Sequence, residues 1–337
     1  MQSDDKSKIF INTIIITTST VIEKVVFFAV NIIIARYLNL NQYGEYTTAL
    51  AFASFFSLFT DMGVSDTLIR EINYEKEKEQ TLYNVILLKI TLSLLIFIFF
   101  IVATVNTGYS VDIIYLIFIF GLVRFGDEYL RLYYTYYDAC GYFLTSAIYR
   151  FLFSLSLLAA VAVVIIINGS NFEIALFRLF AVILFLAVLT YKISRKRLLS
   201  YDLIYIKSFI KKIYPFASTF IYSVIISHGN LIILPLLHGA LYAGIFQNAY
   251  IFITTLMFIP MSFGRVFIPY LYKHKNDDNT DRFQFAFEIL SKCFVFISFY
   301  ITVILYLYSD FIITGVFGEK YSASISTLKV ITLSVPF

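Results

Sequence analysis

The stretch LSLLIFIFFIVATV, Leu92–Val105, holds no charged residue and no alternation of apolar with polar positions. A strand of a membrane barrel alternates over about ten residues, so this run reads as helix. The run FLFSLSLLAAVAVVIII, Phe151–Ile167, reads the same way. A helix rises about 1.5 Å per residue and needs about 20 apolar residues to cross the hydrocarbon core. Both runs extend into windows of that length.

Composition agrees. Of 337 residues, 60% are hydrophobic and 14% charged, against about half and a quarter in a soluble domain. Too few polar side chains remain to cover a water-facing surface, so lipid is the solvent for much of the chain. The expected fold class is an all-α polytopic membrane protein. MQSDDKSK leads into a long apolar stretch from Ile9 with no small-residue cleavage site, which predicts a retained first span. Cys140 and Cys293 lack metal-ligand spacing and read as inert. No phosphate-gripping glycine loop, metal cluster or nucleophile–base pair is visible, so no cofactor and no enzymatic site are expected. The net charge of +4 points to no nucleic acid, because its distribution follows membrane topology.

Apolar windows bounded by polar breaks predict about ten transmembrane helices, at 9–36, 44–62, 82–105, 112–137, 143–168, 172–192, 211–237, 244–270, 283–308 and 321–337. The stretches 63–81, 193–210 and 271–282 read as the longer loops. With the N-terminus inside, fifteen lysines and arginines flank the inner ends, and only Arg36 and Lys320 the outer ends. The positive-inside rule therefore predicts a cytoplasmic N-terminus.

A shift of 200 residues lays GEYTTALAF (44–52) over GIFQNAYIF (244–252). Gly44 falls on Gly244, Tyr46 on Phe246, Ala49 on Ala249 and Phe52 on Phe252. The seventh window thus opens a second copy of a six-helix unit, a parallel repeat because six is even. The expected lobes are 1–200, with six helices, and 201–337, with four. A complete second copy would reach about residue 392 by the same shift, so the second lobe is expected to be incomplete by two helices.

The segment 31–72 resembles the first helical hairpin of the Wzx-type polysaccharide flippases. These belong to the multidrug/oligosaccharidyl-lipid/polysaccharide exporter superfamily. The matching elements are Ala35-Arg36-Tyr37-Leu38, Tyr43-Gly44-Glu45-Tyr46, Met62-Gly63-Val64 and Arg70-Glu71; VFGEKYSAS (316–324) resembles the family's Phe-Gly-x-x-Tyr element. The resemblance implies two helical lobes around a central cavity. It implies transport of undecaprenyl-pyrophosphate-linked oligosaccharide for O-antigen or capsule, from the cytoplasmic to the periplasmic leaflet of a bacterial inner membrane. Expected partners are the lipid-linked oligosaccharide, the bilayer and the polysaccharide polymerase machinery.

Within that hairpin, Gly44 is expected to supply the unusual backbone angles of a tight outer turn. Asn39 and Asn41 are expected to bond the turn backbone, and Arg36 to sit at the end of the first helix, where the dipole favours a cation.

Charges inside apolar windows need an explanation, since each costs several kcal/mol on insertion scales. Arg124 and Glu128, and Asp127 and Arg131, are spaced i,i+4 and expected to pair, as are Glu288 and Lys292. Lys24, Arg150 and Arg178 have no such partner in their own helices. Lys24, Arg124, Arg131, Arg150 and Arg178 are therefore the candidate ligands of a pyrophosphate, which a guanidinium grips with two hydrogen bonds. Snorkelling to the interface is the other reading of Arg150. Glu23, Asp127 and Glu128 are candidates for ion coupling. Asp61 either joins them or belongs to the turn after the second helix. His228 reads as a titratable group or as a packing residue. Pro215 and Pro260 are candidate gating kinks, with a static bend as the alternative reading. Tyrosine, 27 residues in a chain without tryptophan, is expected to fill the interfacial belt.

Two further functions compete. A membrane polymerase or ligase would need a large outward loop, and the outward loops here are short. A multidrug or cation exporter of the same superfamily would need an acidic or apolar pocket, and the unpaired charge leans positive.

Overall fold

The computed structural model describes residues 3–74, 78–194, 202–256 and 280–336. The described residues form helices with no strand. The helices are α1 (Ser3–Tyr37), α2 (Leu40–Leu58), α3 (Val64–Tyr74), α4 (Lys78–Val105), α5 (Val111–Ala139), α6 (Phe143–Ile166), α7 (Asn171–Ser194), α8 (Leu203–His238), α9 (Ala240–Leu256), α10 (Thr280–Leu307), α11 (Ser309–Phe317) and α12 (Ala323–Thr332). Among the described residues, five spans are long and apolar enough to cross a membrane on length and composition alone, in α1, α4, α6, α7 and α10. In α5, Arg124, Asp127, Glu128 and Arg131 break that uniform apolarity.

The surface is inverted relative to a soluble protein. Leu94, Ile98 and Phe99 of α4 are each about 60% exposed, while Lys89 on the same helix is fully buried. Lipid solvates the first set, and the second must find its partners inside. The chain is a polytopic helical membrane protein.

Two compact units divide the chain, Met1–Ala243 and Gly244–Phe337. In the first, α5 is the central helix, packed against α2, α3, α4, α6 and α7. α1 lies along α6 and touches α2 only slightly. α8 also belongs here: Lys212 pairs with Glu71 of α3 at 2.5 Å, and Asp202 N–H donates to Asn84 Oδ1 at 3.2 Å. The lobe boundary expected at 200/201 rests on the internal repeat. The helices α2 and α9 start 200 residues apart, at Leu40 and Ala240.

The α1–α2 turn departs from expectation. It is made at Leu38 and Asn39, and Gly44 lies inside α2. Asn39 caps α2 with a reciprocal capping box: Asn39 Oδ1 accepts from Gln42 N–H at 2.9 Å, and Asn39 N–H donates to Gln42 Oε1 at 3.4 Å. Gly44 is needed for space instead. A Cβ there would stand 2.5 Å from the carbonyl oxygen of Ala240, so its absence lets α2 and the start of α9 meet backbone to backbone.

The stretch 63–81, expected as loop, contains α3. The turn before it places both Met62 (φ 38°) and Gly63 (φ 88°) in the left-handed region. Glycine suits that region; a non-glycine residue costs roughly 1–2 kcal/mol there, so neighbouring contacts must hold this turn.

In the second unit, α10, α11 and α12 pack on one another. In the window expected at 321–337, α12 covers Ala323–Thr332. The stretch 309–320, expected as a connection, holds α11, which is capped by Gly318 (φ 96°), and the start of a one-turn 3-10 helix over Glu319–Tyr321. Gly318 thereby directs Tyr321 inward, fully buried, with its ring edge-on to Phe317 at 6.0 Å. Glu288 and Lys292 pair as expected, at 2.5 Å on an exposed face.

Candidate functional site

A cavity of about 430 Å³ opens in the first unit between α1, α2, α5, α6 and α7. All five candidate cations, Lys24, Arg124, Arg131, Arg150 and Arg178, line it, together with Glu23, Asp127 and Glu128. Phe27, Val30, Leu58, Phe153 and Leu157 supply an apolar remainder. The helical period explains the convergence. Positions 124, 127, 128, 131 and 134 of α5 fall on one stripe, which faces the gap left where α1 leans on α6.

The ion pairing differs from expectation in register and reach. Arg124 pairs with Asp127 at 3.2 Å and Arg131 with Glu128 at 2.6 Å, both i,i+3 rather than i,i+4. Arg150 and Arg178, without partners in their own helices, find them across the bundle. Arg178 of α7 reaches Asp127 Oδ2 at 3.3 Å. Arg150 of α6 reaches Asp138 at the end of α5 at 2.9 Å and Glu23 of α1 at 3.7 Å, and its guanidinium lies 5.0 Å from the centre of the Tyr134 ring. Lys24 is exposed and makes no ion pair among the described residues.

The charges sort into clusters. Arg124 and Arg178 share the single carboxylate of Asp127, which leaves one positive charge in surplus. Arg150 lies between two carboxylates, Glu23 and Asp138. The third cluster is balanced. Lys89 pairs with Asp61 at 3.1 Å and Glu128 at 3.5 Å, while Arg131 touches Glu128 at 2.6 Å and Asp61 at 3.4 Å. Asp61 also accepts from Ser65 Oγ at 2.6 Å. It is 4% exposed and ties the strained Met62–Gly63 turn to α3, α4 and α5.

Several polar atoms of the wall residues have no hydrogen-bond partner among the described residues. The Nε atoms of Arg124, Arg131 and Arg178, Asp127 Oδ1 and the Tyr134 hydroxyl are all buried and unpaired. Buried donors of this kind are costly unless satisfied by water or ligand. Five cations against three carboxylates in the cavity lining suit an oxyanion.

Sequence reasoning missed Lys89 and Asp138, which pair with wall residues from outside the cavity lining, and it left Asp61 between ion coupling and the turn after the second helix. A lone lysine inside the apolar window 82–105 is the signal that could have found Lys89. Asp138 gives no local signal, because its partner Arg150 lies across the α5–α6 turn. Of Pro215 only its place inside helix α8 is described. Pro260 lies outside the described residues, and of His228 only its place in α8 is described. Among the described residues no group of histidine, cysteine and carboxylate side chains could hold a metal ion.

The fold is that of known transporters. The structure described as the crystal structure of MATE in complex with MaD3S aligns with a TM-score of 0.63 and 13% identity, over 98% of this chain and 79% of the other. A multidrug resistance MATE family transporter of the MOP superfamily, in an inward-facing conformation, aligns with a TM-score of 0.66 and 12% identity, over 93% and 77%. A MOP superfamily transporter from Pyrococcus furiosus aligns with a TM-score of 0.64 and 12% identity, over 98% and 78%. No curated protein matches the chain significantly by sequence. Fold and cavity thus define a helical membrane protein of the MATE-like architecture. Residues 9–275 match the family described as polysaccharide biosynthesis protein, and the chain belongs to that family.

Proposed function

We propose that this protein is a flippase for lipid-linked oligosaccharide, without enzymatic activity of its own. Its cargo in this reading is an undecaprenyl-pyrophosphate-linked repeat unit for O-antigen or capsule. Alternating access carries it from the cytoplasmic to the periplasmic leaflet of a bacterial inner membrane, where polymerase machinery receives it. Support for a cytoplasmic N-terminus comes from the fifteen-to-two distribution of lysine and arginine.

The observation that carries the reading is the sharing of Asp127 by Arg124 and Arg178. One carboxylate cannot neutralise two guanidiniums, and each keeps a buried Nε donor open. A diphosphate supplies the missing charge and acceptors, with charge-assisted bonds about twice as strong as neutral ones. Lys24 adds an exposed cation to the cavity lining. The apolar wall of α1 and α6, built around Phe27 and Phe153, suits the start of a prenyl tail that otherwise stays in lipid.

Export of cationic drugs is the second reading, favoured by the likeness to multidrug transporters. At 12–13% identity that likeness concerns the fold, and a positive surplus repels a cationic cargo. The Pyrococcus furiosus transporter is itself described as having a binding pocket of reverse polarity that suggests a different function. One architecture therefore carries pockets of differing charge.

The test is surface-polysaccharide display in a bacterial strain that lacks its own flippase but keeps the matching sugar pathway. The gene restores display if the reading holds. Normal membrane levels without display would refute it.

A further inference from the structure

Lys89 lies behind the cavity wall rather than on it. Its side chain is 0% exposed in the middle of α4. The ammonium meets three oxygens: Asp61 Oδ1 at 3.1 Å, the backbone carbonyl of Glu128 at 3.0 Å and Glu128 Oε2 at 3.5 Å. That carbonyl belongs to the interior of α5, where one lone pair serves the helix and the second is free to bond elsewhere. Carboxylate and carbonyl oxygens gathered around one buried point are the donor set of a hard cation. The protein fills that point with its own side chain.

We propose that Lys89 is a built-in counter-cation. Its ammonium occupies an oxygen-lined cation position between the α2–α3 turn, α4 and α5, and so fixes Asp61 and Glu128 where they hold Arg131 at the cavity wall. Lys89 is thus a positioning residue for Arg131, and the charge of this wall is independent of dissolved cations. Without it, two carboxylates share one guanidinium in a buried place, and a small free cation takes the vacated position. The proposal stands apart from the transport reading, because its test needs no cargo.

The full chain, purified in detergent, is melted in sodium, potassium, ammonium and choline chloride at equal ionic strength and pH. Wild type is expected to melt at one temperature in all four salts. Lys89→Ala is expected to melt several degrees lower in choline, which is too large for the position. It should regain at least half of that loss, saturably, in one or more of the three smaller cations. If Lys89→Ala yields no folded protein in choline, the same comparison is made on folded yield, which a small cation should restore. The variant Lys89→Ala/Glu128→Gln has its charges balanced and should show no cation-specific recovery. Lys89→Ala equally unstable in every salt would overturn the proposal. So would a saturable sodium effect on wild type, or equal recovery in the balanced double variant.

Discussion

Arg178 on α7 bonds Oδ2 of Asp127 on α5 at 3.3 Å, the oxygen that Arg124 already holds at 3.2 Å. Two guanidiniums on one carboxylate oxygen leave a surplus of charge that an anionic headgroup can use. Arg178→Ala removes one donor group while Asp127 keeps Arg124. A charge-assisted bond is worth about 1.5–3 kcal/mol, so transport should fall about tenfold or more. Arg178→Lys keeps the charge but loses the planar fork and should fall between the two. Display of surface polysaccharide, normalised to membrane protein level, reads both.

Lys24 and Arg150 line the same cavity but should behave oppositely. Lys24 has no ion-pair partner among the described residues, so Lys24→Ala should lower display and leave the melting temperature unchanged. Arg150→Ala strands Asp138, whose side chain is only 22% exposed, and should cost about 1–3 kcal/mol. Adding Asp138→Asn should recover part of that loss. Melting curves of the purified variants distinguish the two residues.

The α1–α2 hairpin offers a sharper structural comparison. Asn39→Ala removes the capping box and should cost about 1 kcal/mol. Asn41→Ala, on the exposed first turn of α2, should be nearly neutral. Gly44→Ala forces a methyl group against the Ala240 carbonyl and should cost about 1–3 kcal/mol, the usual range for overpacking. Thermal melts of the three variants rank them, and the rank Gly44 and Asn39 above Asn41 is the expected result.

Helix positions were legible because apolar windows of membrane length leave little choice of secondary structure. α4, α6 and α7 begin and end within a few residues of their windows. The polar break at Glu319 and Lys320 was legible, but the nine-residue α11 before it was not, since it is too short to register as a span and fell in a stretch expected as a connection. The short helix α3 was hidden in a polar stretch, where an amphipathic turn looks like a loop.

At the site, residue types on α5 announced a charged stripe, and the structure gathers all five cations named from sequence. Pairing was less legible. Helical spacing offers both i,i+3 and i,i+4 partners, and only packing chose Arg124–Asp127 over Arg124–Glu128. Partners such as Arg178–Asp127, 51 residues apart, depend on how α7 leans on α5. Lys89 escaped because a lysine with no acidic neighbour in its own helix gives no hint of Asp61 or Glu128.

The most direct measurement is the binding of undecaprenyl pyrophosphate to the purified protein, with undecaprenol, the same lipid without phosphate, as the control. The account predicts that the pyrophosphate lipid binds in clear preference to undecaprenol, and that Arg124→Ala/Arg178→Ala removes the preference while the variant still melts as a folded protein. Equal binding of the two lipids, or an undiminished preference in the folded double variant, would contradict it.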